Sequence, residues 1–297
     1  MNDEQSMKRF NLIPFLLLGA LLLASLESER EVQAQEPPGG SEYIHKIAEN
    51  VKKNRILEMS YTFEVTHQKL TLGRNTEVKE TEARTYEITP LEDDYYRKLV
   101  KKDGKPLSEQ EARNEEKKLE ESLKRQTHLS ISERNKLEKK KMERRRKEEQ
   151  FWNEVIKAFD FTEVSGETVE GRSTRVFKAV PRAQYVPEDS DFELLKKIKG
   201  KIWVDIADDQ VSRADVEFID DIRFGGGFLA KVNKGGTFTV LQKKVNDEVW
   251  FPSHSEVVVN GRLLLFKGFN LKILSDFGNY RKFETSVNFV PASGEND

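Results

Sequence analysis

The amino-acid sequence predicts a mainly antiparallel β protein with some α-helix. We expect a long, curved sheet in the shape of a half-barrel, with covering helices and a long charged helical insertion. Two observations predict this class. Tight-turn signals separate runs rich in Val, Ile, Phe and Thr, which indicates on the order of eleven strands. These strands do not alternate with helices in the way that builds a parallel sheet.

The N-terminal residues 1–34 have the pattern of a secretory signal peptide. Lys8 and Arg9 precede an apolar run that extends from Leu12 to Leu26, and Val32-Gln33-Ala34 supplies small residues where a signal peptidase reads them. Because the run is shorter than the roughly twenty residues that cross a bilayer, a cleaved signal is favoured over a retained membrane anchor. The sequence therefore predicts an exported protein, most simply in a bacterial periplasm.

Composition limits what the mature chain can do. We expect a flexible leader at residues 35–40, one domain at 41–290 with a helical insertion at 108–160, and a disordered tail at 291–297. The net charge of −2 provides no overall field to attract nucleic acid. The sequence has no cysteine, which excludes disulfides, thiolate metal sites, thiol nucleophiles and a lipid-carrying cysteine at the mature N-terminus.

The first elements of the domain are a helix and a set of strands. Ser41 can cap a short helix at about 41–53. Strands are expected at 81–89 and 94–101, and Asp103-Gly104 supplies a residue pair suited to a tight hairpin turn. The period-two pattern of a strand with one dry face comes from Leu57, Met59, Tyr61, Phe63 and Val65, which alternate with polar residues.

The helical insertion follows these strands. Two Ser-x-x-Glu capping boxes, beginning at Ser108 and Ser130, predict helices at about 109–126 and 131–159. Most of the second helix is charged and must project into solvent or meet a polar surface. Its last turns differ, since they carry a broad apolar face formed by Phe151, Trp152, Val155, Ile156 and Phe159.

The remainder of the chain reads as hairpins. A short helix is expected at 192–199, and Asn260-Gly261, flanked by β-branched and aliphatic residues, is the strongest hairpin signal. Further turns are predicted at Glu170-Gly171, Asp208-Asp209, Lys234-Gly235-Gly236 and Asn246-Asp247.

Motifs for catalysis, metals or cofactors are weak, and we assign no catalytic residue, metal or cofactor. The histidines His45, His67, His128 and His254 do not have metal-ligand spacing. Gly225-Gly226-Gly227 could cradle a phosphate, but a strand-like run follows it, so a bend in the sheet is favoured. Acid–base pairs are conceivable among Asp205, Asp208 and Asp209, or Asp215, Asp220 and Asp221, but we favour a turn at Asp208-Asp209 and solvent-facing positions for the others.

A basic cluster lies in the second insertion helix: Lys139, Lys140, Lys141, Arg144, Arg145 and Arg146. These cations could dock on the phosphates of an anionic membrane surface, at about 1 kcal/mol each. The alternative is a solvated helix stabilised by Glu–Lys pairs at helical spacing.

Apolar residues on the concave face of such a sheet could line a cavity that the helices leave partly open. The candidates for ligand contact in a hydrophobic cavity are Leu57, Met59, Tyr61, Phe63, Trp203, Phe218 and Phe238. Each of them could instead be an ordinary core residue packed beneath the helices.

Five short motifs between about 95 and 285 resemble the LolA-like outer-membrane lipoprotein-sorting superfamily, including its LolB and RseB-type relatives. They are Lys102-Asp103-Gly104-Lys105-Pro106-Leu107, Val169-Glu170-Gly171-Arg172, Gly200-Lys201-Ile202-Trp203-Val204-Asp205, Phe224-Gly225-Gly226-Gly227-Phe228-Leu229-Ala230 and Val249-Trp250-Phe251-Pro252. The resemblance implies an open half-barrel with helices as a lid and a cavity for lipid acyl chains or another amphiphile. The charged insertion is longer than a simple carrier of this kind needs.

Together these observations predict a periplasmic, non-enzymatic carrier or sensor whose partners are lipid or lipoprotein acyl chains. The basic cluster would help it to approach an anionic membrane surface or an envelope protein. The alternative is an envelope scaffold or adaptor that binds protein through its charged helices.

Overall fold

The computed structural model describes residues 40–283, apart from 74, 92–93, 128–129, 225–228 and 265–266. The expected signal peptide, most of the leader, the tail, His128 and the triple glycine lie outside the described residues. In chain order the elements are helix α1 (Gly40–Glu58), strands β1 (Tyr61–Leu72), β2 (Val78–Leu91), β3 (Asp94–Lys102) and β4 (Lys105–Pro106), helices α2 (Glu109–Thr127) and α3 (Ile131–Ala158), strands β5 (Phe159–Val169) and β6 (Arg172–Pro181), a 3-10 helix (Ser190–Lys197), and strands β7 (Ile198–Asp205), β8 (Gln210–Phe218), β9 (Ile222–Phe224), β10 (Ala230–Val232), β11 (Thr237–Val245), β12 (Val249–Leu263) and β13 (Lys267–Lys282).

The strands form one antiparallel sheet in the order β4-β3-β2-β1-β13-β12-β11-β8-β7-β6-β5, with β9 and β10 attached beside β12. Within the described residues the end strands β4 and β5 are not paired with each other, so the sheet is open. The pairing of β1 with β13 joins the first strands of the chain to the last. The predicted fold class is confirmed.

One face of the sheet, here called the inner face, carries α1 and the end of α3. Ile44, Ile47 and Ala48 of α1 are buried there, as are Phe151 and Trp152 near the end of α3. They pack on sheet residues that project from the same side of β6, β7, β8, β11 and β12: Phe177, Ile202, Ala214, Val216, Phe238, Val240 and Val257. The apolar face predicted for the end of α3 therefore contributes to the core.

Local signals located many of the element ends correctly. α3 begins with the full capping box of Ser130 and Glu133. At the start of α2, the Ser108 hydroxyl donates to the Glu111 carboxylate at 2.8 Å. Asp103 and Gly104 have φ angles of 48° and 75°, as the predicted tight turn requires.

The strand predicted from residue 57 begins later in the structure. Leu57 belongs to the last turn of α1, and Met59 lies in the turn that follows, so the strand pattern was wrong for these two residues. The helix continues because Asn54 bonds to the backbone of β12: its amide nitrogen donates to the Trp250 carbonyl at 2.8 Å, and its oxygen accepts from the Trp250 N–H at 2.7 Å. The alternation of apolar and polar residues could not predict this contact, because it joins residues far apart in the sequence.

The hairpin predicted at Asn260-Gly261 was also wrong, because both residues lie inside β12. Gly261 pairs with Val232 of β10 and with Phe269 of β13. A Cβ atom at position 261 would stand 2.0 Å from the Lys231 carbonyl oxygen, so glycine permits a close approach of two strands there. Similarly, the helix expected at 192–199 is a 3-10 helix at Ser190–Lys197, and β7 starts immediately after it.

Candidate functional site: a half-buried patch on the inner face

The helices cover the two halves of the inner face unequally. α1 packs on β12 and β8, and α3 packs on β5 and the 3-10 helix. Beneath them Phe177, Val216 and Phe238 are 1%, 3% and 4% exposed. On β1, β2, β3 and β13, six residues of the same face are only half-buried: Phe63, His67, Tyr86, Tyr95, Arg97 and Phe277. We call these six the inner-face patch.

Phe63 is the centre of the apolar part of the patch. Its ring centroid lies 5.4 Å from that of Phe251, 6.0 Å from Tyr280, 6.1 Å from Tyr95 and 6.3 Å from Phe277. Aromatic rings at these separations attract one another beyond simple area burial. Phe63 is therefore held by four rings from β3, β12 and β13.

A bulge in β13 creates part of this aromatic group. The β1–β13 register shifts between Thr62 and Glu64, and Asn279 takes a left-handed φ of 52°. One extra residue reverses the alternation of a strand, so Phe277 and Tyr280 both contact Phe63. The Tyr280 hydroxyl donates to the Pro252 carbonyl, and burial raises the pKa of Tyr280 above its ordinary value.

A polar row crosses four neighbouring strands beside the aromatic group. The Arg97 guanidinium lies 4.5 Å from the Tyr86 ring centroid, and the Tyr86 and His67 rings lie 5.9 Å apart. His67 Nδ1 is 2.8 Å from Ser275 Oγ, with the tautomer deciding which atom donates. Burial, together with the positive charge of Arg97, lowers the pKa of His67 to about 4, so the imidazole is neutral at pH 7.

The end of α1 forms one border of the patch. Arg55 lies 5.4 Å over the Tyr95 ring and 3.7 Å from the Glu58 carboxylate. Burial raises the pKa of Glu58 to about 7, although Arg55 and an Asn54 hydrogen bond act in the opposite direction. Yet 18% of the Glu58 side chain is accessible, which indicates a recessed but open position.

The structure does not bring the seven predicted cavity residues together. Phe63 alone among them belongs to the inner-face patch. Tyr61 is 1% exposed and packs with Val249 and Phe251, while Phe218 and Phe238 belong to the core beneath the helices. Leu57 is 44% exposed on α1.

Trp203 lies on the opposite, outer face of the sheet. It packs there with Val169, Val176 and Leu241, and its indole N–H donates to Glu167 at 2.7 Å. Trp203 alternates with the inner-face residues Ile202 and Val204, which explains the placement. The sequence analysis offered Trp203 as a cavity residue or as core beneath the helices, but the register of β7 places it on the outer face.

The basic cluster lies along α3. Lys139, Lys140, Arg144, Arg145 and Arg146 are exposed, whereas Lys141 is half-buried and pairs with Glu138 at 3.1 Å. The Lys141 pair is of the helical kind that the solvated-helix interpretation expected. Near the other end of this charged stretch, Lys147 pairs with Asp191 of the 3-10 helix at 2.5 Å.

Two of the candidate aspartates are buried ion-pair partners. Asp205 is 1% exposed and accepts two bonds from Arg172, at 2.6 and 2.9 Å, and Asp215 is 6% exposed and pairs with Arg213 at 2.7 Å. The expectation that they face water was therefore wrong. Burial alone would raise the pKa of Asp205, but Arg172 and two backbone N–H groups lower it overall. A carboxylate held ionised in this way is suited to a structural pair.

Four patch residues, Tyr86, Tyr95, Arg97 and Phe277, were not singled out from sequence. The available signal was Tyr95-Tyr96-Arg97, two aromatic residues and a cation within a predicted strand. Its meaning depends on the neighbouring strands. Across the part of the chain that the structure describes, no group of three His, Asp or Glu side chains is placed to hold a metal ion.

Comparison with known proteins finds similarity at the level of solved structures. No family model and no curated protein matches the chain. A putative outer membrane lipoprotein-sorting protein domain from Vibrio parahaemolyticus is 13% identical, with a TM-score of 0.31 over 83% of this chain and 95% of that chain. A LolA superfamily protein from Nitrosomonas europaea is 8% identical, with a TM-score of 0.26 over 81% and 94%.

The MucA/MucB complex of Pseudomonas aeruginosa also matches, at 10% identity and a TM-score of 0.23 over 82% of this chain and 99% of that chain. LolA-like proteins are thus among the solved structures that the chain resembles. Neither a ligand nor a function follows from likeness at these TM-scores. Among the helices of the described residues, none has the length and apolar character needed to cross a membrane.

Proposed function

We propose that this protein is a non-enzymatic periplasmic carrier or sensor that binds lipid or lipoprotein acyl chains on the inner-face patch. The observation that carries the proposal is the unequal covering of the inner face. Beneath the helices the face is sealed, but at Phe63, Tyr86 and Phe277 aromatic surface is half-buried and accessible. Accessible apolar surface beside a formed core is typical of a binding site for an apolar ligand.

The energetics suit an acyl chain. Covering a sixteen-carbon chain gains roughly 12 kcal/mol before immobilisation costs, at about 0.8 kcal/mol for each methylene. The aromatic residues around Phe63 supply a surface for such a chain. The polar row of Arg97, Tyr86 and His67 limits that surface on one side, so an amphiphile matches it better than a plain hydrocarbon.

Photolabelling tests the location of binding. A fatty acid that carries a diazirine near its tail should label peptides of β1, β2 and β13, and unlabelled fatty acid should compete. The internal control is the outer-face cluster of Trp203 and Leu241, which should remain unlabelled. Equal labelling of both faces, or none that competes, would contradict the proposal. Native mass spectrometry of protein purified from an envelope fraction should show a bound lipid mass.

A matched pair of variants tests the same point in solution. Phe277→Gln removes an aromatic ring from the patch and should weaken binding of a fluorescent fatty acid by about ten-fold. The control Asp276→Asn changes the preceding residue, which faces the other way and pairs with His254. It should bind as the wild type does. Thermal unfolding of both variants confirms that the binding difference does not reflect loss of the fold.

An adaptor function is the second candidate, because apolar side chains are exposed on the otherwise charged helices α2 and α3. Leu123, Ile131 and Met142 are 43%, 81% and 70% exposed. In an adaptor, Ile131→Glu with Met142→Glu should abolish capture of an envelope protein by crosslinking. In a carrier, the same variant should keep its fatty-acid affinity. These substitutions are preferable to deleting residues 109–149, because α2 also pairs with β3 through Lys98–Glu116 and Lys102–Glu111.

The basic cluster is proposed to assist approach to an anionic membrane surface. Neutralising Arg144, Arg145 and Arg146 to glutamine should reduce binding to phosphatidylglycerol vesicles more than ten-fold at low salt, since each cation contributes about 1 kcal/mol. Salt should weaken the wild-type interaction in the same way. The control neutralises three cations of α2, Lys117, Lys118 and Lys124. Equal losses in both variants would leave only a general charge effect and would count against a specific docking role.

A further inference from the structure

Arg97 differs from the other arginines that stack on aromatic rings. Among the described residues it has no carboxylate partner, and its close contact is the face of Tyr86 at 4.5 Å. Arg213 stacks on Trp203 at the same distance, but Asp215 accepts two bonds from it, at 3.0 and 2.7 Å. The other stacked arginines are also paired: Arg55 with Glu58, Arg172 with Asp205, and Arg175 with Glu163.

The position of Arg97 makes it significant that no described carboxylate pairs with it. It is half-buried on the inner face, opposite Ile88 in the β2–β3 register, and Ile88 is in turn opposite Phe63. Removing a guanidinium from water without pairing it with an anion is energetically unfavourable. Desolvation accordingly lowers the pKa of Arg97. The neighbouring imidazole of His67 is neutral at pH 7, so Arg97 is the positive charge of this polar row.

We infer that Arg97 binds the carboxylate of a single-chain anionic amphiphile, such as a fatty acid, whose alkyl chain lies on the inner-face patch. One cation with neutral neighbours matches a monoanion. The planar guanidinium donates two parallel N–H bonds to a carboxylate. The chain already uses this pairing at Arg172 with Asp205 and at Arg213 with Asp215. The inference rests on the proposed function and specifies the ligand class of that site.

The experiment compares dodecanoate with dodecanol, which has the same chain and no charge, below their micelle concentrations. In isothermal titration of the full-length mature protein, Arg97→Gln should weaken dodecanoate binding roughly ten- to a hundred-fold, as expected for a lost charge-assisted bond. It should leave dodecanol binding unchanged. Arg97→Lys keeps the positive charge but cannot donate two parallel N–H bonds, so it should give an intermediate loss of dodecanoate affinity. The charge-matched control is Arg223→Gln, because Asp221 keeps Lys231 at 2.7 Å, and it should bind both ligands as the wild type does.

The outcomes separate the two proposals. If the wild type binds both ligands and Arg97→Gln changes neither affinity, the role of Arg97 is overturned while the proposed function stands. If the wild type binds neither ligand, the proposed function fails and this inference fails with it. Dodecylphosphocholine provides a third arm. If it binds more tightly than dodecanoate in an Arg97-dependent way, the carboxylate assignment is overturned in favour of a lipid phosphate.

Discussion

Asn54 and Trp250 form a reciprocal pair in which one side-chain amide satisfies both backbone groups of a strand residue. The Asn54 nitrogen donates to the Trp250 carbonyl at 2.8 Å, and the Trp250 N–H donates to the Asn54 oxygen at 2.7 Å. The pair is buried and joins residues 196 positions apart. It attaches the last turn of α1 to β12, and so sets the border of the inner-face patch.

Asn54→Ala should destabilise the protein by about 2–3 kcal/mol, because two buried backbone groups lose their partners. Urea unfolding followed by tryptophan fluorescence measures the loss. The matched control is Asn50→Ala on the same helix, whose side chain makes only long bonds of 3.3 and 3.4 Å to the carbonyls of Asp209 and Asp208. Equal losses for the two variants would show that the reciprocal pair has no special role.

Gly261→Ala should destabilise the sheet by about 1–3 kcal/mol, since the new Cβ would stand 2.0 Å from the Lys231 carbonyl oxygen and β10 would have to move. Gly268→Ala is the control, because the nearest atom to its Cβ is 3.8 Å away. It should change the free energy of unfolding by less than about 0.5 kcal/mol. A Gly261→Ala protein as stable as Gly268→Ala would contradict the close approach of β10 and β12.

Glu58 should make the protein less stable as the pH rises. Its folded pKa of about 7 lies above the ordinary value of 4.5, so between these values the folded state binds more protons than the unfolded state and the free energy of unfolding falls with increasing pH. Glu58→Gln removes this dependence. The variant should therefore exceed the wild type in stability by on the order of 1–2 kcal/mol at pH 8, with no advantage at pH 4.5. Urea titrations at a series of pH values test this, and an advantage that grew toward low pH would refute it.

His67 should act in the opposite direction over a lower range. Its folded pKa of about 4 lies below the ordinary value of 6.5, so the unfolded state binds the extra proton and stability falls as the pH drops from 6.5 towards 4. His67→Gln should reduce this loss of stability between pH 6.5 and 4. His45→Gln, at an exposed position on α1, is the control for the replacement of a histidine by glutamine. NMR titration of the His67 ring should give a midpoint well below the ordinary histidine value of 6.5.

Features governed by neighbours in sequence were predicted correctly. The capping boxes at Ser108 and Ser130 placed the starts of α2 and α3, and Asp103-Gly104 placed a turn, because each signal acts within a few residues. Local patterns failed where a distant contact was stronger. Leu57 and Met59 alternate with polar residues as in a strand, but the bond between Asn54 and Trp250 extends the helix past them. Asn260-Gly261 has the sequence of a tight turn, but Gly261 is there because β10 passes close to β12.

The candidate site also combines features that local sequence predicts with features that depend on distant contacts. The sequence by itself determined that the chain forms a mainly antiparallel sheet with a charged helical insertion, because hydrophobic period, turn residues and helix caps are local properties. Only the tertiary structure decided which aromatic residues share a face and which of them the helices cover. His67 and Ser275, for example, meet across 208 positions. Arg97 is a second example, because only the folded structure shows that no carboxylate among the described residues pairs with its guanidinium.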